Sequence, residues 1–313
     1  MNKRDKILIT GSKGLVGSAV VGKLKHNGYK NIFTIDKKQG DLRNYEFTYS
    51  TLGDINPDYV INCAATVGGL PANIDCGGEF LYDNLMIQAN VIECSRILGV
   101  KKLLQIGSSS CYPRQCPVPT KEEHLLSSSL GETDIGYSIA KISGVVMCRM
   151  YRKQYGCNFI SVMPANLYGV NDNFNVSYSR VVASAIRRIY DAMISGIKQV
   201  TFYGTGLPRR EFVFIDDMAD ALLFLMDNYN GESHINIGTG QNVSIATVIK
   251  LIVDIMGYKG TILWDSSYPN GIHEKLLDVS RINALGWKSK TSLAEGLKIT
   301  IDWFRNNQNI IRL

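Results

Sequence analysis

A chain of 313 residues, 45% hydrophobic and 20% charged, has the composition of an ordinary globular protein and is long enough to bury a full core. It holds no apolar run of the roughly 18 residues that a membrane span needs, and its charged start, Met1 to Lys6, leads straight into a β-rich run, so no anchor or export signal is expected. The net charge of +6 comes from scattered Lys and Arg residues, a balance that suits an enzyme handling anionic phosphates as well as it suits nucleic-acid binding.

β-rich runs at Lys6–Thr10, Asn31–Asp36, Asp58–Ala65, Lys101–Ser108 and Asn158–Pro164 alternate with helical patterns, clearest at Glu79–Leu98 and Gly136–Tyr155. That rhythm predicts a doubly wound parallel sheet with helices on both faces, a Rossmann-type α/β fold. After Pro164 the pattern loosens, and Lys198–Gly206, Phe212–Asp216 and Thr261–Asp265 read as short strands of a smaller mixed α/β lobe. The expected division is a nucleotide-binding domain over 1–166 and a substrate lobe over 167–313, with 212–228 returning as strand and helix to the large sheet.

Seven cysteines (Cys63, Cys76, Cys94, Cys111, Cys116, Cys148, Cys157) form no Cys-x-x-Cys pair, and their number is odd. Reduced thiols in a cytoplasm are the simplest account. The four histidines, His26, His124, His234 and His273, have no metal-ligand spacing, and no metal site is expected.

The first chemical signal is Gly11-Ser-Lys13-Gly14-Leu15-Val16-Gly17, between a strand and a helix. Glycines there let the turn close, let a pyrophosphate approach the backbone, and let the helix pack on the strand, while the N–H groups at the helix start face the anion. Asp36, ending the second strand, suits a ribose 2′-hydroxyl and so NAD(H). Lys13, Lys37 and Lys38 instead suit a 2′-phosphate, and Lys13 inside the loop tips the reading to NADP(H). Asp41 and Leu42 are candidates for the adenine.

The second signal is Tyr137-Ser-Ile-Ala-Lys141, whose i, i+4 spacing puts both side chains on one helix face. A phenol with a pKa near 10 is a poor acid–base group at neutral pH, and a neighbouring ammonium should lower it. Tyr137 can then give a proton to a carbonyl oxygen as hydride reaches the carbon, with Lys141 also holding the nicotinamide ribose. Ser108 ends the fourth strand, at the edge where open α/β sheets bind ligands, and can hydrogen-bond the substrate oxygen.

These features together resemble the extended short-chain dehydrogenase/reductase family over essentially the whole chain. The segments Ala64-Ala-Thr-Val-Gly-Gly69, Ser161-Val-Met-Pro-Ala-Asn-Leu-Tyr-Gly169, Asn171-Asp-Asn-Phe174, Arg210-Glu-Phe, His234-Ile-Asn-Ile-Gly-Thr-Gly240 and Lys275-Leu-Leu-Asp-Val are similar to its GDP-L-fucose synthase branch. Those enzymes epimerise C3 and C5 of a GDP-4-keto-6-deoxy sugar and reduce C4 with NADPH, so the resemblance implies a GDP-linked 4-keto-6-deoxy sugar as substrate. It implies cofactor contacts at Ala64, Ala65, Pro164, Asn166 and Leu167, and substrate contacts at Val67, Gly68, Ser109, Ser110, Asn166, Arg180, Arg188, Arg210 and Lys275. It also suggests a homodimer built on the two long helices.

The departures carry as much information. The family places a cysteine two residues after the catalytic serine, and a histidine before the Arg187-Arg188 helix, as its epimerisation pair; here those positions read Ser110 and Arg180. Moving a proton off and onto carbon needs two titratable groups, which an unactivated hydroxyl and a guanidinium are not. Cys111, one place later in what reads as an extended segment, would point the other way, and His124 would have to be recruited from a loop. The expectation is a C4 reductase without epimerisation, acting on a hexose or heptose as in related reductases of bacterial capsule pathways. A bifunctional synthase and a non-catalytic NADP(H) sensor are the alternatives, and no nucleic-acid or membrane partner is expected.

Overall fold

Buried or half-buried apolar runs alternate with helical stretches along the first half of the chain, giving β1 (Ile7–Thr10), α1 (Leu15–His26), β2 (Ile32–Ile35), α2 (Tyr45–Ile55), β3 (Tyr59–Asn62), α3 (Leu70–Asp75), α4 (Gly77–Ile97), β4 (Lys102–Ile106), α5 (Ile135–Tyr155) and β5 (Phe159–Pro164). The remainder is β6 (Asn166–Tyr168), α6 (Val181–Ile194), β7 (Gln199–Tyr203), β8 (Arg209–Phe214), α7 (Ile215–Asn228), β9 (Ile235–Ile237), β10 (Asn242–Ser244), α8 (Ile245–Met256), β11 (Thr261–Asp265), α9 (Ser280–Ala284) and α10 (Leu293–Asn306). These come from a computed structural model that describes residues 1–268 and 270–312. Local chemistry sets several helix limits: Asn44, Ser244 and Ser292 accept backbone N–H bonds at the starts of α2, α8 and α10. Gly156 ends α5 in a left-handed conformation.

Six parallel strands form the main sheet in the order β2-β1-β3-β4-β5-β9. This is the doubly wound arrangement expected of the alternating pattern. A three-stranded sheet, β10-β8-β6, and a two-stranded one, β11-β7, lie outside it.

The strand expected at Phe212–Asp216 does not return to the main sheet. It begins at Arg209, ends at Phe214 and pairs with β6 and β10. β9 takes the edge beside β5 instead, through the Val162–Ile235, Met163–Asn236 and Pro164–Ile237 pairs, and the Ala165 N–H continues this by donating to the Ile237 carbonyl at 2.9 Å. β6 leaves the sheet directly after that point and draws β8 to itself. The following helix, α7, does pack on the main domain, against α1. Its last carbonyls, from Leu225 and Met226, accept hydrogen bonds from the buried Lys102 ammonium on β4 at 3.0 and 2.6 Å.

The main sheet is not purely apolar inside. Thr10 Oγ1 donates to Asn62 Oδ1 at 2.6 Å, Asn62 Nδ2 to Gln105 Oε1 at 2.7 Å, and Gln105 Nε2 to Gln88 Oε1 at 3.2 Å. Gln88 Nε2 ends the chain on the Ala140 carbonyl. All four side chains are buried. They run from β1 through β3, β4 and α4 to α5, with each amide satisfied by the next. Room for the far end comes from Gly144 on α5, where a Cβ would sit 2.5 Å from Gln88 Oε1.

α4 and α5 pack on each other within the chain, leaving Tyr82, Ile139 and Tyr155 exposed. Among the described residues no helix is long and apolar enough to cross a membrane.

Gly144→Ala should reverse the usual sign of a helix substitution. Alanine in a helix interior normally gains about 1 kcal/mol over glycine. Here the added methyl collides with a hydrogen-bonded glutamine, and overpacking costs about 1–3 kcal/mol. The urea midpoint of the variant is therefore expected below that of the parent chain; a higher midpoint would show that the glutamine chain does not constrain α5.

Candidate active site

The glycine turn joins β1 to α1. Gly11 has φ +62°, and a Cβ there would lie 2.8 Å from the Ala64 backbone nitrogen, so the turn presses against the end of β3. A Cβ on Gly17 would collide with the Gly11 carbonyl, which is how α1 packs so close to its strand. Gly14 precedes the helix with no side-chain cap, and no acidic residue stands in the first turn. The N–H groups of Leu15, Val16 and Gly17 are thereby left to an outside acceptor. Uncapped N–H groups and the positive end of the helix fit a pyrophosphate.

At the ribose end, Lys13 Nζ lies 2.7 Å from Asp36 Oδ2, with Lys13 exposed and Asp36 nearly buried. Lys13 holds the Asp36 carboxyl below its ordinary range, helped by the Lys38 N–H. Lys37 is exposed beside them. The residues expected to hold adenine are partly committed elsewhere. Asp41 is bound by Arg43, and Arg43 also reaches the buried Asp83 at 2.6 Å; Leu42 is in the core. Arg43 was not singled out from the sequence, because its partner Asp83 lies forty residues away on α4.

Ser108, Tyr137 and Lys141 converge at the C-terminal end of β4. Ser108 starts a short 3-10 turn over Ser109–Cys111, and its Oγ lies 2.9 Å from Ser110 Oγ. Ser138 Oγ donates to the Ser110 carbonyl at 3.3 Å, tying that turn to α5. Lys141 Nζ donates to the Ile106 carbonyl at 2.8 Å and lies 6.0 Å from the Tyr137 ring centre. Burial brings its pKa down to about 8; Cys111 and Cys63 oppose this and Arg180 adds to it.

Tyr137 moves opposite to the sequence expectation. Burial pushes the phenol up to about 12, Cys111 adds to the rise, and Arg180 and Ser108 oppose it. Desolvation outweighs the neighbouring positive charge of Arg180.

The other candidates fall on several walls. Ser109, Asn166 and Lys275 line one cavity with Tyr112, Glu211 and Leu277. Arg210 lies near Lys275, and burial lowers the pKa of both, Asp134 alone among carboxylates opposing for Lys275. Two half-buried cations with so little compensation suit an anionic ligand. Ala64 and Ala65 follow β3, Pro164 closes β5, and Leu167 is buried on β6. Val67 and Gly68 lead to Gly69, whose N–H donates to the Tyr178 carbonyl at 2.7 Å; this brings their turn beside Arg180. Arg180 Nη1 also reaches the Leu167 carbonyl at 3.4 Å. Arg188 stands apart: its guanidinium stacks on Phe202 at 4.9 Å and donates to the Thr201 carbonyl, and it does not line the cavity.

Cys111 is fully buried, with burial pushing its thiol up to about 12. The segment is a 3-10 turn rather than the extended run read from the sequence, so burial, not strand alternation, keeps this thiol from the cleft. His124 Nδ1 accepts the Lys121 N–H at 3.1 Å, closing its own turn. His234 is buried against Tyr112, and burial lowers its pKa to about 4. Among the described residues no group of three or more His, Cys, Asp or Glu side chains is arranged to hold a metal.

The sequence reading passed over Glu211, a buried carboxylate that accepts the N–H groups of Thr239, Gly240 and Leu277 at 2.7, 2.8 and 2.9 Å. It staples β8 to the two loops that flank the cavity. Its position inside Arg210-Glu-Phe was visible, but nothing local announces partners so distant in sequence.

The chain is 44% identical over 306 residues to GDP-L-fucose synthase 1 of Arabidopsis thaliana, covering 98% of this chain and 95% of that one. It superposes on a GDP-6-OMe-4-keto-L-xylo-heptose reductase from C. jejuni with a TM-score of 0.92 and 33% identity, covering 98% and 99% of the two chains. The GDP-mannoheptose C4 reductase of Campylobacter jejuni, solved with NADP bound, gives 0.89 and 35%, covering 97% and 99%. The family model for the NAD dependent epimerase/dehydratase family matches residues 7–238. That span opens on the first residue of β1 and closes one residue past β9, taking in the whole six-stranded sheet: the chain belongs to this family, of the extended short-chain dehydrogenase/reductase type.

Proposed function

We propose that the protein reduces the C4 keto group of a GDP-linked 4-keto-6-deoxy sugar, hexose or heptose, with NADP(H), and does so without epimerising C3 or C5. The observation that carries this reading is the pairing of an assembled Ser108–Tyr137–Lys141 group with a serine and an arginine at the two positions where the resemblance places the epimerisation pair. Ser110 and Arg180 occupy the epimerisation positions, Cys111 is sealed in the core, and His124 closes its own turn.

NADP(H) fits the uncapped start of α1 and the exposed Lys13, and a similar reductase is solved with NADP. When bound, it supplies the hydride to the carbonyl carbon. Tyr137 holds its proton throughout the neutral range and gives it to O4. Ser108, at hydrogen-bond reach of Ser110, offers a hydroxyl to the same oxygen. Lys141 supplies positive charge beneath the phenol as it loses its proton. Arg210 and Lys275 match the charge of a sugar-linked diphosphate.

A second reading, a bifunctional 3,5-epimerase/4-reductase, is favoured by the 44% identity to a GDP-L-fucose synthase, higher than that to the heptose reductases. Turnover in D2O separates the two. Product NMR should show no deuterium at C3 or C5; label at either carbon would establish epimerisation.

Removing the proton donor should cost most of the rate. Tyr137→Phe is expected to lower kcat about a thousandfold with KM little changed. An active variant would show that another group protonates O4.

The pH profile follows from the two shifts. Tyr137 remains protonated to about pH 12, whereas Lys141 loses its proton near 8. Reductive kcat/KM should be level from about pH 6 to 8 and fall above it, and Lys141→Met should abolish that descending limb. A profile that climbs through pH 8 would contradict this assignment.

A further inference from the structure

The motif Asn171-Asp-Asn-Phe174 has no part in the reduction just described, yet one of its side chains reaches the glycine turn. Asn171 adopts a left-handed backbone with φ +60°. Its Nδ2 donates to the Lys13 carbonyl at 3.2 Å and to Ser18 Oγ at 3.0 Å. Behind it, Arg312 Nη2 donates to the Asn171 carbonyl at 2.7 Å. The segment after α10 is fastened to the same loop, since the Phe174 N–H donates to the Arg312 carbonyl at 2.8 Å and Asn173 bridges to Arg312. Asp172, between these residues, is buried and faces both Arg312 and Arg180.

The consequence falls on one peptide plane. The Lys13 carbonyl and the Gly14 N–H belong to the same rigid unit. Asn171 holds its oxygen, and the Gly14 N–H donates to the Gly11 carbonyl at 2.9 Å on the other side. With its side chain 2.7 Å from Asp36, Lys13 is fixed at both ends. A residue placed in this way presents its ammonium to one spot beside the ribose, and a loose one would not.

We propose that Asn171, backed by Arg312, is a positioning residue for the dinucleotide: by holding the Lys13–Gly14 peptide it sets the reach of the Lys13 ammonium towards a ribose 2′-phosphate. This rests on the NADP(H) reading above. It assigns a cofactor-selecting role to the second lobe, whose Asn171 touches the loop and not the cofactor.

Fluorescence titration with NADPH and NADH tests it on full-length variants, with ligand-free thermal unfolding as the check on folding. Asn171→Gly removes the amide at a position where glycine carries no left-handed strain. Asn171→Asp keeps size and tolerates the conformation, but its carboxylate cannot donate to a carbonyl. Both are expected to raise the Kd for NADPH about tenfold while that for NADH rises less than about threefold, a loss the size of one or two hydrogen bonds. Arg312→Gln should reproduce part of the effect, and Arg312→Lys, which retains a donor, should recover it. NADPH affinity within twofold of the parent in either folded Asn171 variant would overturn the proposal, as would equal losses for the two cofactors. Failure of the parent chain itself to bind NADPH would instead refute the cofactor reading.

Discussion

The buried amide chain from Thr10 to the Ala140 carbonyl fixes how the two halves of the site stand to each other. Thr10 immediately precedes Gly11, and its Oγ1 also accepts the Ala64 N–H at 3.1 Å, beside the glycine turn. Ala140 immediately precedes Lys141. Between them lie three strands' worth of sheet and one helix, crossed by side chains that can satisfy one another only in a single arrangement. Apolar packing alone tolerates small sliding between a helix and a sheet; a continuous series of buried amides does not, because each lost bond leaves a polar group stranded. The nucleotide turn and the Tyr137–Lys141 face are therefore held in one register by the interior of the sheet rather than by surface loops.

Much of this was legible in the sequence. The five parallel strands of the first half, the two long helices, the glycine turn and the Tyr-x-x-x-Lys face follow from periodicity and spacing, which are local properties. The sixth strand was not. Ile235-Asn-Ile237 is three residues long with a buried asparagine at its centre, and Asn236 is paid for by Tyr112 and the Thr120 carbonyl from remote loops. Phe212–Asp216 looked the better strand, and most of it is one, within Arg209–Phe214, but in another sheet. The same division holds within the site. The sequence showed that Tyr137 and Lys141 share a helix face, but the direction of the phenol's shift depends on burial and on Cys111 and Arg180, contributed by other segments.

Arg180 links these observations. Its guanidinium charge faces Tyr137, Lys141 and the buried Asp172. Beside Lys141 it makes the ammonium easier to deprotonate; beside Tyr137 it favours the phenolate that proton donation leaves behind. Its own position depends on the Leu167 carbonyl and on the turn that Gly69 shares with Tyr178.

An epimerase and a reductase ask different things of such a site. Exchange of protons at carbon needs groups that gain and lose a proton near neutral pH, so their pKa values must lie close to the working pH. Reduction needs one donor that stays protonated until hydride arrives, and surrounding charge that stabilises the anion produced. A phenol raised to about 12, with the Arg180 guanidinium beside it, suits the second demand better than the first. Burial of Cys111 completes the same logic, since a thiol raised to about 12 is almost never a thiolate at neutral pH. The electrostatics of the cleft, and not only the identity of two side chains, thus support the proposed reduction without epimerisation.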